Sequence, residues 1–210
     1  LGRVLTRMYD GYEGSIRLGG RELSEWHPQD LNSLITVVHQ DVYLFRASVL
    51  ENIRLWADGL DVETLKNGAR LARADAFVAS LANGYEHIVE ERGINLSSGQ
   101  KQLLAIARAL VRDAPIVILD EATASVDSVT EKHIDDGIGE LMERKTVLVI
   151  AHRLSTITRA DKILVLHQGD IVETGTHEEL MALEGRYHTL VETGFGRSQG
   201  PANREGAVTG

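Results

Sequence analysis

The 210 residues carry 22 Lys+Arg against 31 Asp+Glu, a formal net charge of −9, with 43% hydrophobic and 25% charged residues. That is the composition of a globular domain rather than a disordered or fibrous chain, and the acidic balance argues against a clustered-cation grip on nucleic acid. The longest stretches free of Asp, Glu, Lys and Arg, Leu31–Gln40 and Ala76–Tyr85, are ten residues each, short of the roughly 18 that a spanning helix needs; the absence of cysteine excludes disulfides and thiolate chemistry and suits a cytosolic setting.

Leu1–Tyr9 places apolar residues at 1, 4, 5 and 8, one face of a helix whose cap is not in the chain. Ser15–Leu18 with Gly19-Gly20 reads as a strand and tight turn, and Leu34–Val38 as a buried β-branched strand ending at His39-Gln40. From about Asp41 to Val111 the pattern is mainly helical. Asp61 is placed to cap a helix reaching Arg73, and Asp75 a second, shorter one. Ser97–Arg112 is the strongest helix. Leu103, Leu104, Ile106, Ala107, Leu110 and Val111 share one face, with Lys101, Arg108 and Arg112 elsewhere.

Three short apolar runs follow, Ile116–Leu119, Thr146–Ile150 and Ile163–Leu166, with a helical stretch near Thr130–Arg144 between the first two. Strand and helix in alternation predict a parallel α/β architecture. Ile171–Glu173 reads as an edge strand and Glu178–Leu183 as a closing helix. The glycine-rich segment from Gly194 to Gly210 reads as a disordered tail.

Asp120 and Glu121 follow a buried strand, at the carboxyl end where α/β sheets place ligands. Pleat alternation separates the two side chains, so one acid can hold Mg²⁺ while the other takes a proton from an attacking water; helix capping and a solvated surface are the plain alternative. Leu96-Ser97-Ser98-Gly99-Gln100 opens the strongest helix. Its free N–H groups, hydroxyls and dipole make an anion site, with Gly99 allowing close approach of a phosphate, or else Ser97 is simply an N-cap. Gln40 and His152 each follow a strand, where one can touch a metal-bound water and the other a phosphate oxygen, or both can be structural. Ser125-Val126-Asp127 reads equally as a helix cap.

Taken in this order, the motifs resemble those of the ATP-binding cassette (ABC) ATPases from Leu1 to about Glu192. Gln40 stands at the Q-loop glutamine, Leu96–Gln100 (LSSGQ) resembles the LSGGQ signature, Ile116–Asp120 Walker B, and Glu121 the catalytic glutamate. Ser125–Asp127 resembles the D-loop, and His152 in IAHRLSTI the switch histidine. Glu91-Arg92-Gly93, Phe45–Ile53 and Ala160–Leu180 are similar to exporter segments, while Ser98 stands where the signature has a glycine.

The resemblance implies a P-loop NTPase-like parallel sheet with a helical signature subdomain at about 41–111, inside a nucleotide-binding domain over 1–192, and a tail at 193–210. It implies ATP and Mg²⁺ as cofactors, with Glu121 and His152 catalytic and Asp120 and Gln40 at the metal. Ser97, Ser98, Gly99, Gln100 and Asp127 would act on ATP shared with a second nucleotide-binding domain. Its further partner would be an exporter's transmembrane domain, met through about Asp41–Ile53 on the cytoplasmic face of the membrane; no nucleic-acid partner is expected.

The chain contains no Gly-Lys pair, hence no G-x-x-x-x-G-K-[ST] phosphate cradle. The expectation is a longer protein interrupted just after that motif, and little ATP hydrolysis by this stretch alone. A soluble ABC ATPase of DNA repair or translation, and a non-catalytic ABC remnant, are the alternatives.

Overall fold

The computed structural model describes residues 2–9, 11–55, 57, 59–120, 126–151 and 153–195. The chain divides into two compact units, Leu1–His152 and Arg153–Gly210. The first opens with α1 (Gly2–Leu5), much shorter than the apolar spacing of Leu1–Tyr9 suggests; Arg7, at φ 53°, turns the chain out of helical geometry. The strands β1 (Arg17–Leu18) and β2 (Arg21–Glu22) pair antiparallel around Gly19-Gly20, whose positive φ angles make the tight turn. A helix not expected from the sequence, α2 (Pro28–Leu34), starts with Pro at its first position while His27 Nδ1 accepts from the Gln29 amide.

Next come β3 (Ile35–Val38), β4 (Ala47–Ser48), α3 (Val49–Arg54), α4 (Val62–Leu71), α5 (Asp75–Ser80), β5 (Ile88–Val89), α6 (Ser98–Val111), β6 (Ile116–Asp120), α7 (Ser128–Arg144) and β7 (Thr146–Ile150). Caps fix most of these helix starts. Ser48 and Glu51 form a reciprocal capping box on α3, and Asp61 accepts from the Thr64 amide at 2.8 Å on α4. Asp75 is not a cap: it is the first helical residue of α5, and the capping position is Ala74, which has no side-chain acceptor.

The sheet is parallel, in the order β3-β6-β7, with Ile35 beside Ile116 and Ile116 beside Thr146. Pleating divides its side chains. Val38, Val117 and Leu119 face a large core with α6 and α7, whereas Ile35 and Ile118 face a smaller one with Leu23 and Leu31. Lys145 Nζ donates to the carbonyls of Arg112 and Ala114, 2.7 Å each, tying the entries of β6 and β7 together. Burial lowers the pKa of that ammonium.

The second unit holds α8 (Leu154–Ile157), β8 (Ile163–His167), β9 (Asp170–Gly175), α9 (His177–Ala182) and α10 (Arg186–Leu190). Here the expected alternation ends, because β8 pairs antiparallel with β9 through a turn at Gln168-Gly169. Thr176 and Glu179 box the start of α9, and the Glu173 carboxylate accepts from the Arg186 and Tyr187 amides at the start of α10. Val165, Leu180 and Tyr187 form its core. Residues 191–195 continue as a single π-helical turn, and the rest of the expected tail lies outside the described residues. Among the described residues no helix is long and apolar enough to cross a membrane.

Candidate functional site

Parallel strands point their carboxyl ends the same way, so the exits of β3, β6 and β7 share one edge of the sheet. Asp120 is the last residue of β6, half-buried and paired in register with Ile150 of β7; Gln40 lies two residues beyond the end of β3, exposed. The topology thus brings Gln40 and Asp120 to one edge although 80 positions separate them in the chain. Glu121, Ser125 and His152 lie outside the described residues. A carboxylate and an amide oxygen are hard donors. They suit Mg²⁺, which takes one or two protein oxygens and completes its shell with water and phosphate.

A second set of residues meets where α6 and α7 begin. Ser97 Oγ accepts from the Gln100 amide at 3.2 Å, and Gln100 Oε1 accepts from the Ser97 amide at 3.0 Å, a complete capping box. Gln100 is therefore engaged with the backbone, while Ser97 and Ser98 stay exposed at the positive end of a 14-residue helix. Gly99 is buried, facing Thr130 and Val126 of the neighbouring helix start. Its missing side chain is what lets the two helix starts pack this closely. Asp127 caps α7, accepting from the Thr130 amide at 3.0 Å, and that amide holds the exposed carboxyl below the usual aspartate range.

The loop that follows Gln40 is tied to residues 91–92, ahead of α6. Its Leu44 is fully buried, the Leu44 carbonyl accepts from the Arg92 amide at 2.8 Å, and the Tyr43 hydroxyl donates to Glu91 at 3.2 Å. Tyr43 and Phe45 meet edge to face at 5.0 Å, each 44% exposed. Two residues that sequence reasoning passed over organise this loop. Asn52 accepts from the Phe45 amide and donates to the Phe45 carbonyl, both at 3.0 Å, and Arg108 reaches it from α6.

Residues 1–124 match the family of ABC transporters. The chain belongs to that family. A relative, the ATP-dependent lipid A-core flippase of Alkalilimnicola ehrlichii, is 47% identical over 93% of this chain and 33% of its own length. The flippase of the same name from Vibrio vulnificus is 43% identical over 93% of this chain and 34% of its own. Among solved structures, a bacterial Atm1-family ABC exporter with ATP bound is 37% identical with a TM-score of 0.85, covering 95% of this chain and 35% of that one. The chain therefore spans about a third of the length of the relatives it matches.

Proposed function

We propose that this chain supplies most of the nucleotide-binding domain of an ABC exporter and takes part in hydrolysing MgATP to drive export across a membrane. The observation that carries this reading is the shared carboxyl edge bearing Gln40 and Asp120 in a chain of the ABC transporter family. In this reading residues 1–192 are the domain and about 41–111 its helical subdomain.

Asp120 and Gln40 would hold Mg²⁺, which would neutralise charge on the phosphates of ATP. The Glu121 carboxylate accepts the proton of the water that attacks the γ-phosphorus while the bond to the ADP oxygen breaks. His152 donates to a γ-phosphate oxygen and orients that group. Ser97 and Ser98, exposed at the start of α6, act on the ATP of a second nucleotide-binding domain, with Gly99, Gln100 and Asp127 shaping that helix start. Exposed hydroxyls and free N–H groups at a helix start suit that task.

The half-exposed aromatic pair Tyr43 and Phe45 supports docking of a transmembrane domain on 41–53, at the cytoplasmic face of the membrane. The names of the relatives make lipid-linked cargo the first substrate class to test.

The test is Glu121→Gln in the transporter that carries this domain. ATP should still bind, and turnover should fall by about 10²-fold or more, the scale of a lost general base. Hydrolysis at the parental rate would overturn the assignment.

A further inference from the structure

Arg108 is an unusual resident of the signature helix α6. Helical spacing sets it apart from the apolar face, yet in the fold it is half-buried, and no carboxylate pairs with it among the described residues. Its guanidinium spends its donors on three neutral oxygens. Nε donates to the Asn52 carbonyl at 2.6 Å, Nη2 to Asn52 Oδ1 at 2.8 Å, and Nη1 to the Tyr43 carbonyl at 2.8 Å. Those acceptors lie 56 and 65 residues away in the chain. Burial without a counter-charge lowers its pKa to about 10, so holding a cation here carries a desolvation cost that a neutral helix residue would avoid.

The three bonds converge on the loop that carries Gln40. Tyr43 is three residues beyond Gln40, and Asn52 is the residue whose side chain closes that loop at Phe45, Ala47 and Ser48. On the other side, Arg108 lies ten residues along α6 from Ser98, about 15 Å at 1.5 Å per residue. One rigid helix therefore presents the exposed serines at its start and grips the Gln40 loop near its end.

We propose that Arg108 is a positioning residue that locks the Gln40 loop to the signature helix, so that Gln40 at one ATP and the serines that face the second domain's ATP keep a fixed spacing. The proposal rests on the reading of Gln40 and Ser97–Gly99 as ATP-site residues. A planar fork satisfies three acceptors in fixed directions; the ammonium of lysine is a point charge that cannot reach all of them.

The experiment compares Arg108→Met, Arg108→Lys, Glu121→Gln and the control Arg70→Ala in the intact transporter. Arg70 pairs with Glu63 on the exposed side of α4, and its loss should leave turnover unchanged. Arg108→Met should lower kcat at least tenfold with KM for MgATP within twofold, and Arg108→Lys should recover part of kcat.

Amide exchange supplies a readout independent of hydrolysis. In both Arg108 variants the Phe45 and Arg92 amides should exchange at least tenfold faster, with the interior amides of α6 unchanged. Parental kcat in Arg108→Met, or unaltered exchange at Phe45 and Arg92, would overturn the proposal. If Arg108→Met does not fold, the same two readouts on Arg108→Lys decide. If Glu121→Gln hydrolyses ATP normally, the functional reading fails, and the exchange rates still decide whether Arg108 holds the loop.

Discussion

Gly99 and Thr130 touch so closely that no side chain fits between them. A Cβ on Gly99 would fall 2.8 Å from Val126 Cγ1 and closer still to the Thr130 methyl. Thr130 has little freedom to retreat, because its amide is held by the Asp127 cap. Gly99→Ala should therefore destabilise the domain by about 1–3 kcal/mol, the usual range for overpacking. Urea denaturation should show a lower midpoint with an unchanged slope; parental stability would mean the α6–α7 junction gives way easily.

Gly137 offers a sharper contest of effects. In an open helix, Gly→Ala gains about 1 kcal/mol of helix propensity. Here the added methyl would lie 3.2 Å from the Ala72 carbonyl oxygen and 3.2 Å from Ile106 Cγ2, and the first is backbone that cannot rotate away. Packing should win, so Gly137→Ala should lower the thermal midpoint. A rise would show that α4 and α7 can separate slightly without cost.

Asp127 couples helix capping to pH. Hydrogen bonding from Thr130 lowers its folded-state pKa, so its contribution is complete above the unfolded value near about 3.9 and fades as pH falls through the folded one. Asp127→Asn keeps a capping oxygen but cannot titrate. Its stability should fall less steeply than the parent's between about pH 4 and 2, as read by denaturant midpoints across that range. Parallel curves would indicate that other carboxylates dominate the acid limb.

Ser48 caps α3 within the segment 41–53 proposed to dock. Its hydroxyl accepts from the Glu51 amide at 3.1 Å, and the Glu51 carboxylate accepts from the Ser48 amide at 3.0 Å. Ser48→Ala should cost about 1 kcal/mol, whereas Ser48→Gly should cost only a few tenths. Equal losses would mean that buried packing at this position, rather than the cap, sets the cost.

Legibility in the sequence followed the range of the forces involved. The helix from Ser98 to Val111 and the strands Ile116–Asp120 and Thr146–Ile150 match their expected spans to within a residue or so, because caps and apolar periodicity are local signals. The short helices Pro28–Leu34 and Val49–Arg54 were not separately legible, since one or two turns offer too few residues for a period to emerge. Ile163–His167 was legible as a strand, but an apolar run does not state the direction of its partner. Gln40 and Asp120 stood out because each ends a strand that the pattern already marks. Arg108 did not. Its partners are reached only after the loop and α3 have packed on α6, and nothing local distinguishes it from a solvated arginine.

The order of strands in the parallel sheet also governs how the domain can fold. β6 and β7, with α7 between them, lie within 35 consecutive residues, whereas β3 must wait for the 77 residues of 39–115 before its neighbour exists. Closing so long a loop is costly before native contacts compensate, so the β6–α7–β7 unit should form early and β3 should dock late. Within these 210 residues β3 is therefore made well before β6, the strand it pairs with, and that edge stays open to mispairing until Ile116–Asp120 emerges. Mutations that slow collapse of the intervening helices should then lower the yield of folded protein more than its final stability.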